Sequence, residues 1–309
     1  MFPGFTDDDF DAYAPPKWSS NVYTRQRQEV KQKLLGLGRD LTSCLIAADG
    51  SPLACEASVE YPALWNHKQV DAQHLYFSRN AGSRKELDGI LDRSRGLASL
   101  IEDPSPQRTH IFLSVSVVHE GVELALKLHP DARVDRQNLE RRCDDFFARE
   151  RLVGLIRALG PEWRIGITGG EAALAPALDD AGVKQLVAGL GQPGHSWLFV
   201  AQMLPRTDAR VRGAEFAEVA RASLLALLPV YHFIAWSRDN DFVSMREMLQ
   251  KERQQKRVKG LARNDHVRIV RGVLAGKMGV VQEFDAKGGL KVLVGKMAVK
   301  IDAEDVVKQ

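Results

Sequence analysis

Residues 264 to 284 read NDHVRIVRGVLAGKMGVVQEF, and the spacing of apolar residues and glycines in this stretch decides the fold of the C-terminal part of the chain. Val267, Ile269 and Arg271 alternate with His266, Arg268 and Val270, the period-two pattern of a short strand with two differently used faces, and Gly272 interrupts it. Gly276 and Gly279 bracket Lys277 and Met278 before a second apolar run, Val280-Val281, as a glycine-dependent turn between paired strands is written. Both glycines are expected in backbone conformations that a β-branched residue reaches only with strain. A third strand, Leu290 to Val294, follows the turn Asp285 to Gly289, and Ala298 to Ile301 with Val306-Val307 supply the rest. Five short strands in about 45 residues predict a small SH3-like barrel.

With Asp265, Val267, Arg268, Gly272, Gly276, Gly279 and Val281 in register, this segment resembles the KOW domain of NusG-type transcription factors and of some ribosomal proteins. The resemblance covers the last 46 of 309 residues. In that family the loop between the first two strands meets RNA, a ribosomal protein or a polymerase-associated factor. The resemblance therefore implies Val273, Leu274, Lys277 and Met278 as contact residues. The same glycines also suit a barrel used as a generic protein-interaction module, because a fold does not fix a function.

Charge separates this tail from the body. Residues 251 to 309 carry 14 Lys or Arg against 7 Asp or Glu, a net of +7, whereas the preceding 250 carry 29 against 33, a net of −4. In KERQQKRVKGLAR, residues 251 to 263, Lys251, Arg253, Lys256, Arg257, Lys259 and Arg263 crowd around the single acid Glu252. Such clusters attract RNA or DNA backbone by releasing counterions, without reading sequence. Together with Arg268, Arg271 and Lys277 they are the candidate nucleic-acid contacts. Ser244 to Arg257 also holds good helix formers and a Met245, Met248, Leu249 stripe, so residues 241 to 262 read as a basic helical linker.

The body, residues 1 to 240, is 44% hydrophobic like the rest of the chain, which supports a sizeable core. No uninterrupted apolar run approaches the ~20 residues that cross a bilayer, and the acidic opening FPGFTDDDFD is unlike a signal peptide. A cytoplasmic protein is expected. Cys44, Cys55 and Cys143 are odd in number and widely spaced, which argues against a disulfide framework or a zinc site.

Patterning predicts a helix over 21–37, an apolar strand over 41–48, a strand over 69–79 and a helix over 84–101. Thr109 to Val118 and Val122 to His129, separated by His119-Glu120-Gly121, read as an antiparallel hairpin. A long helix over 135–159, a strand over 163–168, a helix over 180–190, a strand over 197–203 and a helix over 213–228 follow. Hairpins mixed with helices predict an α+β body with a mainly antiparallel sheet. The opening GFTDDDFDAYAPPKW is similar over a dozen residues to the start of the bacterial YktB family, whose fold resembles the TATA-binding protein.

Few residues carry a pattern that points to chemistry. Trp65, His67, Asp71 and His74 form the densest polar and aromatic group, yet His67 sits in a loop and His74 on the apolar face of its strand, so a core histidine beside a polar loop is expected. Glu123 and Lys127 lie four apart, wider than the acid-x-lysine spacing of metal-dependent nucleases, and read as cross-strand charge on a solvated sheet face. GLGQPGHS, residues 189 to 196, follows a helix and precedes a strand, the reverse of a phosphate cradle, so Gly189 and Gly191 are read as helix caps. ITGGEAAL, residues 167 to 174, reads as an ordinary turn. No catalytic residue, metal site, cofactor or small-molecule ligand is identifiable. Two classes of function remain: a non-catalytic factor of transcription or translation that contacts RNA, the ribosome or RNA polymerase, and an enzyme acting on nucleic acid or nucleotides with the barrel as its targeting module.

Overall fold

The two strands flanking His119-Glu120-Gly121 form the central hairpin of a seven-stranded antiparallel sheet. The structure, a computed structural model, describes residues 2–50, 53–91, 106–243, 261, 263–272, 274–284, 289–295, 297–302 and 305–308. The chain divides into two units, Met1–Phe242 and Val243–Gln309. In the first, strands β1 (Leu53–Ala57), β2 (Ala72–Arg79), β3 (Phe112–Val118), β4 (Gly121–Leu128), β5 (Trp163–Ile167), β6 (Ala172–Leu174) and β7 (Leu198–Pro205) lie in the order β1-β2-β3-β4-β7-β5-β6. The helices are α1 (Asp7–Asp11), α2 (Thr24–Asp49), α3 (Ala81–Leu91), α4 (Pro106–Thr109), α5 (Arg133–Arg142), α6 (Phe146–Arg157), α7 (Asp180–Gly189), α8 (Ala209–Arg212) and α9 (Phe216–Ile234).

Register gives the sheet two unlike faces. Leu75, Val115, Leu124, Gln202 and Trp163 stand in one cross-strand row, and Phe77, Leu113, Leu126, Val200 and Ile165 in the next. These residues are buried, with α2 packed on β1 and β2 and α9 on β3 and β4. Because strand side chains alternate, the intervening rows, Tyr76, Ser114, Ala125 and Ala201, then His74, Ser116, Glu123 and Met203, belong to the opposite face. By length and composition α9 could also cross a membrane. In this fold it is the central core helix, with Phe216, Ala220, Leu224, Leu227 and Tyr231 buried at helical spacing.

Several sequence expectations change. Residues 41–48, expected as a strand, continue α2 to Asp49. Leu34, Leu37, Leu41 and Leu45 are spaced three, four and four apart and are all buried, so one helical stripe runs through both segments. Gly50, at φ 71°, ends the helix in the left-handed conformation. The strand comes later, as β1, and its pairing with β2 is long-range. The helix expected over 135–159 is two helices, because Asp145 leaves the helical conformation and its carboxylate accepts the Ala148 N–H at 2.8 Å, starting α6 afresh. The turn at 167–174 is the corner of the β5–β6 hairpin, with Gly169 at φ 91°. The expected helix over 84–101 starts at Ala81, and its residues beyond Leu91 lie outside the described part.

The acidic opening has a structural use. Phe2 and Phe5 pack on Phe216, with ring centroids 5.7 and 5.2 Å apart, and Phe5 also meets Phe10. Asp7 takes ion pairs from Arg206 and Arg212 at 2.8 and 2.7 Å, Asp9 from Lys33 at 2.6 Å, and Asp11 from Arg206 at 2.8 Å. Fully buried Arg27 donates to the carbonyls of Ala12, Lys17 and Ser20 and so ties the segment to α2.

The second unit holds β8 (His266–Ile269), β9 (Met278–Phe284), β10 (Gly289–Val294), β11 (Met297–Asp302) and β12 (Val306–Lys308). All five expected strands form, in one antiparallel sheet of order β11-β10-β9-β8-β12. Val267, Ile269, Val281, Leu290, Val292 and Val306 make its core. Gly276 has φ 89° with open space where a side chain would point, so its constraint is conformational alone. Gly276→Val is expected to lose about 1–3 kcal/mol and Gly276→Asn clearly less, measured by denaturant unfolding of this unit. Gly279 differs: its φ is not positive, and the expectation of a strained backbone there is corrected to one of close packing.

Candidate functional site

In the second unit, the resemblance-derived positions divide between core and surface. Val267 is fully buried, Leu274 packs at the edge of the core, and Asp265 is tied to Lys308 at 2.6 Å. Gly276 donates its N–H to Ile269 O at 2.7 Å and Ile269 donates back to Lys277 O at 2.9 Å, which closes the β8–β9 loop and leaves Lys277 outside. Gly272, at φ 82°, turns the chain at the loop's start.

Across the strands, Val307, Arg268 and Met278 stand directly opposite one another on the outer face. Met278 is 46% exposed and Val307 54%. Arg263, Arg268, Arg271 and Lys277 are exposed, and none has an ion-pair partner among the described residues. Lys251, Arg253, Lys256, Arg257, Lys259 and Val273 lie outside the described residues.

In the first unit, the group around Trp65 partly separates. A short 3-10 turn, Leu64–Asn66, precedes His67 and Lys68, which take positive φ values of 55° and 57° and point outward. The Trp65 side chain lies outside the described residues. His67 does not join Asp71 and His74, which line a cavity of about 440 Å³ over the outer sheet face. Among the described residues no three His, Cys, Asp or Glu side chains converge to hold a metal ion.

The cavity floor comes from the outer rows of β2, β3 and β4, with Tyr76, Phe112, Ser114 and Lys127 beside His74, and Trp197 closes one end. An aromatic chain runs along it: His74 stacks on Tyr76 with centroids 5.3 Å apart, Tyr76 meets Phe112 edge-on at 5.1 Å, and Phe112 meets Trp197 at 5.6 Å. His129 adds an edge contact to Trp197 at 4.6 Å. Burial, helped by the nearby Lys127 charge, pushes the His74 imidazole down to about 3, so it is neutral at physiological pH. Its Nδ1 lies 2.7 Å from Ser116 Oγ.

His74 is therefore not a residue of the apolar core between sheet and helices, as expected, but part of the floor of a cavity on the other side. Glu123 and Lys127 pair at 2.5 Å along one strand, rather than across strands, and Lys127 lines the cavity. No family model matches this chain, and no curated protein matches it.

Ser114 is 1% exposed, and its Oγ has no hydrogen-bond partner among the described residues. Sequence reasoning passed over it, Tyr76, Phe112 and Trp197. One local signal was available: in FLSVSVV two serines take alternate positions of an otherwise apolar strand, which marks a face that is not ordinary core.

A second cavity of about 370 Å³ lies between β5, β6 and α7. Here the two glycine motifs meet: Gly169 passes so close to Gly194 O that a Cβ would stand 2.2 Å from it, and the His195 ring faces Gly170. His195 Nδ1 is 2.9 Å from Gly189 O, a carbonyl that only accepts, so Nδ1 carries the proton. The capping expectation is corrected: Gly189 is the last residue of α7, the cap position is taken by Leu190 in extended conformation, and Gly191, at φ 89°, turns the chain just beyond it. The cavity is lined chiefly by Ile165, Ile167, Leu178 and Leu186 and by small residues, with Glu171, Gln185, Gln192 and His195 as its polar groups.

Proposed function

We propose that the protein is a non-catalytic, cytoplasmic factor of transcription or translation whose second unit is an SH3-like barrel of the KOW type that contacts RNA or a ribonucleoprotein. The observation that carries this reading is the outer face of β8 and β9, where Arg268, without an ion-pair partner among the described residues, stands between exposed Val307 and Met278, with Arg271 and Lys277 on the adjoining loop. Cations that need not leave a protein partner are free to meet phosphate, and an exposed apolar pair beside them suits a base or a protein side chain. Placement of β12 beside β8 supports the barrel in that it returns the last strand to the first and leaves β11 and β12 as the two edges whose meeting would close it.

The test is binding of full-length protein to single-stranded RNA over a salt series. Affinity is expected to fall steeply with salt. Lys256→Ala/Arg257→Ala/Lys259→Ala is expected to weaken binding about equally across sequences and to flatten the log–log salt slope by roughly two to three units, about one per lost phosphate contact. Arg268→Ala/Arg271→Ala/Lys277→Ala should do the same from the loop side. Undetectable RNA affinity at low salt, or full retention of affinity and slope by both triple variants, refutes the RNA contact.

A further inference from the structure

We propose that the cavity over the outer face of β2, β3 and β4 binds a nucleobase-type heteroaromatic ring that carries an anionic substituent. The assignment rests on the first unit alone and does not depend on what the second unit binds.

Ser114 supplies the first argument. A buried hydroxyl without a partner costs stability that a plain Ala would not. Its neighbours in the same row, Tyr76 and Ala125, leave it against the cavity, and a bound group with a donor or acceptor would satisfy it. A hydrocarbon ligand would not, so the ring must have a polar edge. Gln69 and Gln107 add further amide donors and acceptors around the rim.

The aromatic chain supplies the second. His74, Tyr76 and Trp197 are half-buried and held by stacked and edge contacts with one another and with the buried Phe112, so they present rigid ring surface without ordering cost on binding. A neutral His74 adds ring surface and no charge. Planar ligands are what such surfaces hold, and base stacking on protein aromatics works for any base because each has a π-face.

Charge supplies the third. Arg108 and Lys127 line the cavity against one carboxylate, Asp71. Among the described residues each cation pairs with one carboxylate outside the lining, Asp131 at 2.5 Å and Glu123 at 2.5 Å, and retains N–H donors beyond that bond. An anion on the ligand can take those donors. A volume of about 440 Å³ is within the range of small-molecule sites.

The chemistry could come from a free nucleotide or from a base within a single strand. Calorimetric titration of the full-length protein with the 5′-monophosphates of adenosine, guanosine, cytidine and uridine, and in parallel with a short single-stranded oligonucleotide and inorganic phosphate, separates the two. At least one monophosphate or the oligonucleotide is expected to bind, and Ser114→Ala to weaken that binding about five- to tenfold, the loss typical of one hydrogen bond to a neutral group. The same variant should melt at or above the wild-type temperature, since it removes an unsatisfied hydroxyl. Trp197→Ala should weaken binding further.

Monophosphate binding sensitive to Ser114 identifies a free nucleotide as the source. Sensitivity confined to the oligonucleotide identifies a base within a strand. Oligonucleotide binding that ignores both substitutions belongs to another surface and overturns the cavity assignment. So does full competition by inorganic phosphate, which would leave only an anion site, and so does the absence of binding by every probe.

Discussion

Asp135→Asn is expected to cost about 3–5 kcal/mol, the largest loss for a single charge-removing change in the larger unit, because it leaves a buried guanidinium without its counter-charge. Asp135 sits at the start of α5, 1% exposed, and accepts from Arg79 Nη1 and Nη2 at 2.7 Å each. It also accepts the backbone N–H groups of Ile111 at 2.9 Å and Trp236 at 2.8 Å, while Arg79 donates to Trp236 O. One carboxylate thus joins β2, the approach to β3, α5 and the end of α9. For a unit of this size the loss corresponds to a fall in melting temperature of roughly 10 °C. Arg79→Met/Asp135→Leu should lose less than the sum of Arg79→Met and Asp135→Leu, because the double variant strands no charge. Additive losses in a double-mutant cycle would show that the pair is not coupled.

The same site gives a pH dependence. Burial alone would push the Asp135 carboxyl up, but the Arg79 charge and hydrogen bonds, with the two backbone donors, hold it below the usual carboxylate value. A lowered folded-state value stabilises the protein above the unfolded value of about 3.9, and that contribution is lost as pH falls through the folded value. The stability gap between wild type and Asp135→Asn should therefore be full near neutrality and narrow in acid. Denaturant midpoints measured down to pH 3 would reveal a constant gap if the carboxylate plays no such part.

Gly279→Val should unfold the second unit or cost it about 3 kcal/mol. A Cβ at Gly279 would stand 2.4 Å from Val292 Cγ1 and 2.9 Å from Leu293 O, so the clash is with the neighbouring strand's backbone as well as a side chain. Among the described residues six buried side chains make the unit's core, which leaves little surplus to absorb a displaced strand. Even Gly279→Ala is expected to destabilise, whereas Gly276→Ala meets no atom and suffers only from its positive φ. Urea unfolding followed by protease sensitivity of the tail in the full-length chain would rank the two. Equal losses at both positions would refute the distinction between crowding and backbone strain.

Much of the tail is legible because its signals are local. Each strand of 266–308 has its own alternation, and Gly272 and Gly276 fall at the turn between the first two strands, whereas Gly279, read as part of that turn, lies inside β9. In the body, long periodic segments such as Phe216–Ile234 are also legible. The misreading of 41–48 has a physical cause: LTSCLIAA is a short apolar run that suits a strand or a buried helix, and only the continuing Leu34–Leu37–Leu41–Leu45 stripe arbitrates. β1, Leu53–Ala57, is weakly apolar and becomes a strand through β2, a contact that no local window contains. The cavity was illegible for the same reason. Its lining comes from residues as far apart as Ala57 and Trp197, and only strand register makes Tyr76, Ser114 and Lys127 neighbours.

The packing of Phe5 against Phe216, and of Asp7 against Arg206 and Arg212, also bears on the order of events during synthesis. A segment near the start of the chain finds its place only when residues more than 200 positions later have left the ribosome. β4 likewise waits for β7. The larger unit therefore folds late and through distant contacts, a topology associated with slow folding and prolonged exposure of apolar surface. Nascent chains stalled before α9 should be readily degraded by protease, and resistance should appear abruptly once α9 has emerged.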